Sequence, residues 1–148
     1  MNLTSRNIQL VMDAFTAVET RDNEGLVALY HPDIEFHWPP SLPYRASRGD
    51  QVANRYGSGW SETWEWLQPT EKERSMSPRV VAASDREVAV LWRQRGKMPD
   101  GEQIDTPVFG LYEVRDGKLA RAQMFYFDPV AAGAFLERAE AGARPRRL

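Results

Sequence analysis

The chain has 148 residues, 42% hydrophobic and 27% charged, with a formal net charge of −2. This is the composition of one globular domain with a core, and it carries no overall basic field to recruit nucleic acid. The absence of cysteine excludes disulfides, thiolate metal sites, iron–sulfur clusters and cysteine nucleophiles. No apolar run approaches the roughly 20 residues that span a bilayer. The N-terminal residues lack the basic-then-apolar order of a signal peptide, so a cytoplasmic protein with no membrane partner is expected. Five tryptophans point to a large core, an aromatic-lined pocket, or both.

In chain order, Thr4 or Ser5 caps a first helix with Ile8, Val11, Met12, Phe15 and Val18 at helical spacing. Asp22 caps a second short helix over Glu24–Tyr30, ended by His31-Pro32-Asp33. Ile34–Trp38 reads as a strand stopped by Pro39-Pro40. A third helix starts near Gly49-Asp50, with Val52, Tyr56, Trp60 and Trp64 four apart on one face; Gly57 and Gly59 weaken or bend it. From Thr70 on the pattern is strands: an uneven run over Glu71–Ala83, then Glu87–Arg95, in which Val88, Val90 and Trp92 alternate with Ala89, Leu91 and Arg93. A long hairpin follows over Gln103–Asp128, turning at Asp116-Gly117. Asp128-Pro129 then starts a last helix over Val130–Arg138. Residues 1–137 are expected to form a single domain, and 138–148 a flexible basic tail carrying Arg144, Arg146 and Arg147.

Strands that follow helices argue for α+β with a mostly antiparallel sheet. A curved sheet wrapped around the long first helix leaves a cavity at its wide end. The hairpin strand Val108–Val114 is apolar in both phases, as if one face lined the cavity and the other met a partner subunit.

Three stretches resemble the nuclear transport factor 2-like superfamily and its SnoaL-like polyketide cyclase branch: DNEGLVALYHPDIEFHWP at Asp22–Pro39, the turn at Asp116–Lys118, and YFDP at Tyr126–Pro129. The resemblance implies a cone-shaped, cystatin-like α+β barrel, often a homodimer through the sheet. It also implies a pocket used by cyclases, isomerases, epoxide hydrolases, dehydratases and non-enzymes. The ketosteroid isomerase pattern is missing, because Trp38, Ala14 and Phe109 stand where it needs a carboxylate, a tyrosine and an acid. The epoxide hydrolase pattern fails at Arg93-Gln94-Arg95 and at Met124 or Phe125. The dehydratase pattern needs histidines on later strands, whereas His31 and His37 lie early. A SnoaL-like cyclase needs only a pocket acid beside an aromatic cavity.

In the register the resemblance implies, Asp105, Pro107, Phe109 and Leu111 face the cavity, and Val108 and Tyr112 face away. Asp105 is then the candidate acid or base, its carboxyl raised by desolvation; the alternative is a residue at the mouth paired with Arg93 or Arg95. Tyr126 could donate to a substrate carbonyl or pack in the core. His37 is a candidate general base, the work an imidazole side chain suits, unless Phe36 and Trp38 take the inner face and turn it outward. Asp128 is explained by capping. Trp38, Tyr56, Trp60, Trp64, Trp92, Phe109 and Met124 are the expected substrate-binding wall, or simply core. No metal constellation and no cofactor motif is present. The expected partner is a small apolar ligand or polyketide-like substrate. The expected function is acid–base cyclisation, isomerisation or hydration, with non-catalytic binding or assembly as the alternative.

Overall fold

The computed structural model describes residues 1–44, 46–49 and 59–143. Helix α1 runs Leu3–Glu19. Its cap is Asn2, not Thr4 or Ser5: the Asn2 side chain accepts the Ser5 N–H at 2.8 Å. Of the expected stripe, Val11 and Phe15 are buried, and Ala14 and Asn7 share that face. Helix α2 runs Asn23–Ala28, with the Asp22 carboxylate accepting from Gly25 N–H at 2.9 Å as the sequence predicts. Strand β1, Tyr30–His37, begins before the expected Ile34 and takes in His31-Pro32-Asp33. Pro32 has no N–H to give a ladder, and β1 is irregular between Tyr30 and Glu35.

After the two-residue strand β2, Ser47–Arg48, the description resumes at Gly59. Helix α3 is Trp60–Trp64, opened by Gly59 in the left-handed region (φ 89°). The helix expected from Gly49 therefore does not run unbroken through Gly59. Val52, Tyr56 and Gly57 lie outside the described residues. A single 3₁₀ turn, Glu65–Leu67, continues the segment. Helix α4, Glu71–Arg74, replaces the first part of the strand expected there. A capping box decides this: Glu73 Oε1 accepts from the Thr70 N–H at 3.0 Å and the Thr70 hydroxyl at 2.9 Å.

Strands β3 (Arg79–Ala83), β4 (Glu87–Lys97), β5 (Gln103–Arg115) and β6 (Lys118–Tyr126) follow, then helix α5 (Pro129–Arg138). The β5–β6 hairpin turns at Asp116 and Gly117, both at positive φ (53° and 71°), the pairing a tight right-twisted hairpin needs. Asp128 caps α5 by accepting from Ala131 N–H at 2.9 Å. A helical turn, Ala139–Ala143, extends past α5 with Ala139 buried. Arg138 is held by Glu102 at 2.7 Å. The start of the expected tail is thus ordered against the domain. Arg144, Arg146 and Arg147 lie outside the described residues.

The six strands form a curved, unclosed mixed sheet in the order β2-β1-β6-β5-β4-β3. All neighbours are antiparallel except β1 and β6, which run parallel. The architecture is the expected α+β one, with α1 packed across the inner face against β3, β4 and β6. Phe15 meets Trp92 and Tyr112 edge to face, with ring centroids 6.1 and 5.7 Å apart. No helix among the described residues is long and apolar enough to cross a membrane.

Candidate functional site

Strand alternation decides which side chains reach the interior. On β4, Val88, Val90, Trp92, Gln94 and Gly96 point inward, and Arg93 and Arg95 point out. On β5 the inward set is Thr106, Val108, Gly110, Tyr112 and Val114. On β6 it includes Ala122, Met124 and Tyr126.

A cavity of about 70 Å³ lies between this inner face and α1. Helix α1 contributes Ala14, Phe15 and Val18; Phe36 and Trp38 come from β1 and its exit; Trp60 comes from α3. Trp92, Tyr112, Ala122 and Met124 form the sheet wall. No carboxylate and no imidazole appears among the described lining residues. Burial pushes the Tyr30 and Tyr112 phenols well above their ordinary range, so both remain protonated. Gly110 makes room for Tyr112: a side chain there would run into the Tyr112 hydroxyl, which donates to Met124 Sδ at 3.4 Å.

Behind Trp60 and Trp92 lies a buried polar cluster. Gln94, 1% exposed, accepts through Oε1 from the Trp60 indole N–H at 2.8 Å and from the Tyr126 hydroxyl at 2.9 Å. The Tyr126 hydroxyl is in turn hydrogen-bonded to the Tyr44 hydroxyl. The Trp64 indole N–H donates to Tyr44 at 3.4 Å. Burial raises both phenols of this pair.

The expected site residues divide sharply. Trp38, Trp60, Trp92 and Met124 line the cavity. Tyr126 is buried one layer behind it, within reach of Gln94 and Tyr44. Trp64 packs further on, stacked on Phe135 at 6.0 Å. It comes so close to β4 that a Cβ on Gly96 would lie 2.9 Å from its ring. Tyr56 lies outside the described residues.

The expected register of β5 is corrected. Asp105 faces away from the cavity, its side chain 49% exposed, 2.6 Å from Arg93 Nε and 3.2 Å from Arg95 Nε. What burial it has favours the neutral acid, but the hydrogen bonds and charges of Arg93 and Arg95 outweigh that and hold the carboxyl below its ordinary range. Phe109 is likewise on the outer face, 37% exposed and beside Phe125. Val108 and Tyr112, expected outside, are inside. The cause is register: β5 is apolar in both phases, so a one-residue slip exchanges its faces. His37 takes the outward alternative. With Phe36 buried and Trp38 on the cavity, His37 turns outward to Glu35 at 3.2 Å. Its hydrogen bond, with help from Arg48, lowers the Glu35 carboxyl.

Gln94 and Tyr44 are the polar groups that sequence reading passed over. Gln94 had a signal, since it continues the Val88, Val90, Trp92 alternation between two outward arginines. Tyr44 sits in a loop after Pro43, with no periodicity to mark its burial. Among the described residues no group of His, Asp or Glu side chains gathers into a metal-binding set.

Comparison with known proteins places the fold. No curated protein matches the chain. Among solved structures, TerC, crystallised with polyporic acid, superposes with a TM-score of 0.72 at 19% identity, over 89% of this chain and 98% of that one. A nuclear transport factor 2-like protein from Burkholderia xenovorans LB400 gives 0.66 at 22% identity, over 92% and 96%. A candidate SnoaL-like polyketide cyclase from Jannaschia sp. CCS1 gives 0.67 at 16% identity, over 98% and 97%. Likeness at these identities concerns the fold. The SnoaL-like domain model matches residues 11–122, most of the sheet and the second half of α1. The chain belongs to the SnoaL-like domain family.

Proposed function

We propose that this chain is a small-molecule pocket protein that binds a compact apolar ligand between α1 and the inner face of the sheet. One observation carries the reading: the described cavity wall is mostly aromatic and aliphatic, with Ser61 among it and without a carboxylate or imidazole, while Asp105 and His37 lie on the outer face. Such a wall supplies contact area and shape, and little proton transfer. Titration of the full chain with small cyclic apolar compounds, followed by tryptophan fluorescence, tests it. Saturable quenching is expected, because Trp38, Trp60 and Trp92 face the cavity. A flat response across the series would remove the pocket reading.

A second reading, turnover on a carbonyl-bearing polyketide-like substrate, is favoured by the Tyr44–Tyr126–Gln94 cluster beside the cavity. Phenols kept protonated by burial do not serve as bases; to donate to a developing oxyanion, one of them would have to give up its hydrogen bond within the cluster. The candidate polyketide cyclases of the same fold support looking for this activity. Proton NMR in D₂O, following exchange at the carbon next to a bound ketone's carbonyl, separates the readings: enzyme-dependent exchange supports turnover, and none supports binding.

A homodimer through the sheet is part of the proposal. Phe109 and Phe125 stand side by side on the outer face, ring centroids 6.4 Å apart and 37% and 48% exposed. Adjacent exposed rings of this kind favour a protein contact.

A further inference from the structure

Among the described residues, the buried side-chain polar atoms without a hydrogen-bond partner are Arg21 Nε, Trp38 Nε1, Trp92 Nε1 and Gln94 Nε2. Every one is an N–H donor, and among the described residues no buried side-chain oxygen is left without a partner. Arg21 belongs elsewhere, donating through Nη2 to the Glu65 and Gln68 carbonyls at 3.0 Å. The remaining three surround one tyrosine pair. Trp38 packs edge-on against Tyr44 at 4.7 Å, Trp92 edge-on against Tyr126 at 6.2 Å, and Gln94 takes the Tyr126 hydrogen bond. Trp38 and Trp92 also line the cavity.

The direction of the hydrogen bonds follows from chemistry. An indole nitrogen only donates, so the amide atom facing Trp60 is oxygen. Gln94 Nε2 is therefore the atom left over. The Tyr126 proton goes to the same oxygen, so Tyr44 must donate to Tyr126, and Trp64 donates to Tyr44. Tyr112 directs its proton to Met124; its oxygen stands near the Trp92 indole N–H and feels it, but the two do not meet in hydrogen-bond geometry. The hydroxyl protons of these three tyrosines are committed. The demand left unmet is for acceptors.

Buried N–H groups are almost always paired with protein, water or ligand. Resting on the pocket reading above, we infer that the ligand is an apolar molecule that presents acceptor oxygens and no donors of its own, such as a ketone, lactone or ether, and that the Trp38 and Trp92 N–H groups meet its oxygen. Gln94 Nε2 faces the same cluster from behind and adds to its positive character. At roughly 10–15 Å³ per water-sized sphere, a cavity of about 70 Å³ takes a small ring before larger ones. Bound water is the competing occupant.

The test uses the full chain with ¹⁵N-labelled tryptophan, titrated with cyclohexanone and with methylenecyclohexane, in which CH₂ replaces the oxygen. Single Trp→Phe variants assign the indole signals. The ketone is expected to bind about tenfold more tightly, equivalent to ~1.4 kcal/mol. It should move the Trp38 and Trp92 indole protons downfield, while those of Trp60 and Trp64, already bonded to Gln94 and Tyr44, stay in place. Trp38→Phe, at a half-buried position, should lower the ratio of ketone to hydrocarbon affinity; Trp92→Phe should do the same if it folds. Equal binding of the two probes, or a ketone that leaves both signals where the hydrocarbon leaves them, overturns the inference and leaves the pocket reading standing. Binding of neither probe removes both.

Discussion

The Trp60 indole N–H donates to Gln94 Oε1 at 2.8 Å, so a residue of α3 decides which way a fully buried amide on β4 points. The same oxygen also receives the Tyr126 hydroxyl. Gln94→Leu would leave both donors buried and unpaired. Each unpaired group costs roughly 1–3 kcal/mol, so this variant is expected to lose about 2 kcal/mol or more in urea unfolding. A loss below 0.5 kcal/mol, on the order of an ordinary surface substitution, would show that the cluster does not stabilise the fold.

Asp105 gives the opposite expectation. Its folded pKa is lowered, so its contribution to stability is full above the unfolded value and is lost as pH falls through the folded one. Asp105→Asn should flatten the loss of stability below about pH 4. At neutral pH, where the pair is half exposed, it should cost no more than roughly 1 kcal/mol. Ligand binding should not change, because the carboxylate lies on the far face of the sheet. A variant that folds normally yet loses binding would return Asp105 to the site.

Ala14 stands on α1 at the cavity wall. Ala14→Leu would fill much of a cavity of about 70 Å³, with a packing penalty of roughly 1–3 kcal/mol at most. Fluorescence titration should show ligand affinity reduced about tenfold or more, which corresponds to about 1.4 kcal/mol, with circular dichroism unchanged. Unaltered affinity in a folded Ala14→Leu protein would place the ligand elsewhere.

Gly96 lets β4 approach Trp64, and an added Cβ would meet that ring at 2.9 Å. Overpacking of this kind costs about 1–3 kcal/mol. Gly96→Ala should lower thermal stability accordingly; an unchanged melting temperature would mean the Trp64–Phe135 stack can shift at little cost.

The proposed dimer is tested at Phe125. Replacing it with Glu puts a charge in the middle of the aromatic pair with Phe109. Light scattering should show the wild-type mass halved in Phe125→Glu, with helix and strand content retained. A wild-type chain that is already a monomer at micromolar concentration would dispose of the contact.

Local chemistry announced most of the fold. The Asp22 and Asp128 caps, the Asp116-Gly117 turn and the Glu87–Arg95 alternation act over a few residues, and the structure repeats them. Where local signals competed, nearby groups won: Asn2 took the first cap, and the Thr70–Glu73 capping box turned an expected strand start into helix α4.

By itself the sequence determined an α+β chain with a long first helix, a central hairpin and an aromatic interior, because periodicity, caps and turns are read from neighbouring residues. Which face of β5 is inside was settled only by tertiary structure. Phe109 and Leu111 are as apolar as Val108 and Tyr112, so the strand itself carries no marker. The choice is made across the ladder, where Arg93 and Arg95 lie opposite Pro107 and Asp105. Two arginines cannot be buried unpaired, so they draw Asp105 to the solvent side and send Tyr112 to the cavity. The same long-range pairing brings Gln94, Tyr126 and Tyr44 together from three separate parts of the chain. No local pattern encodes that meeting.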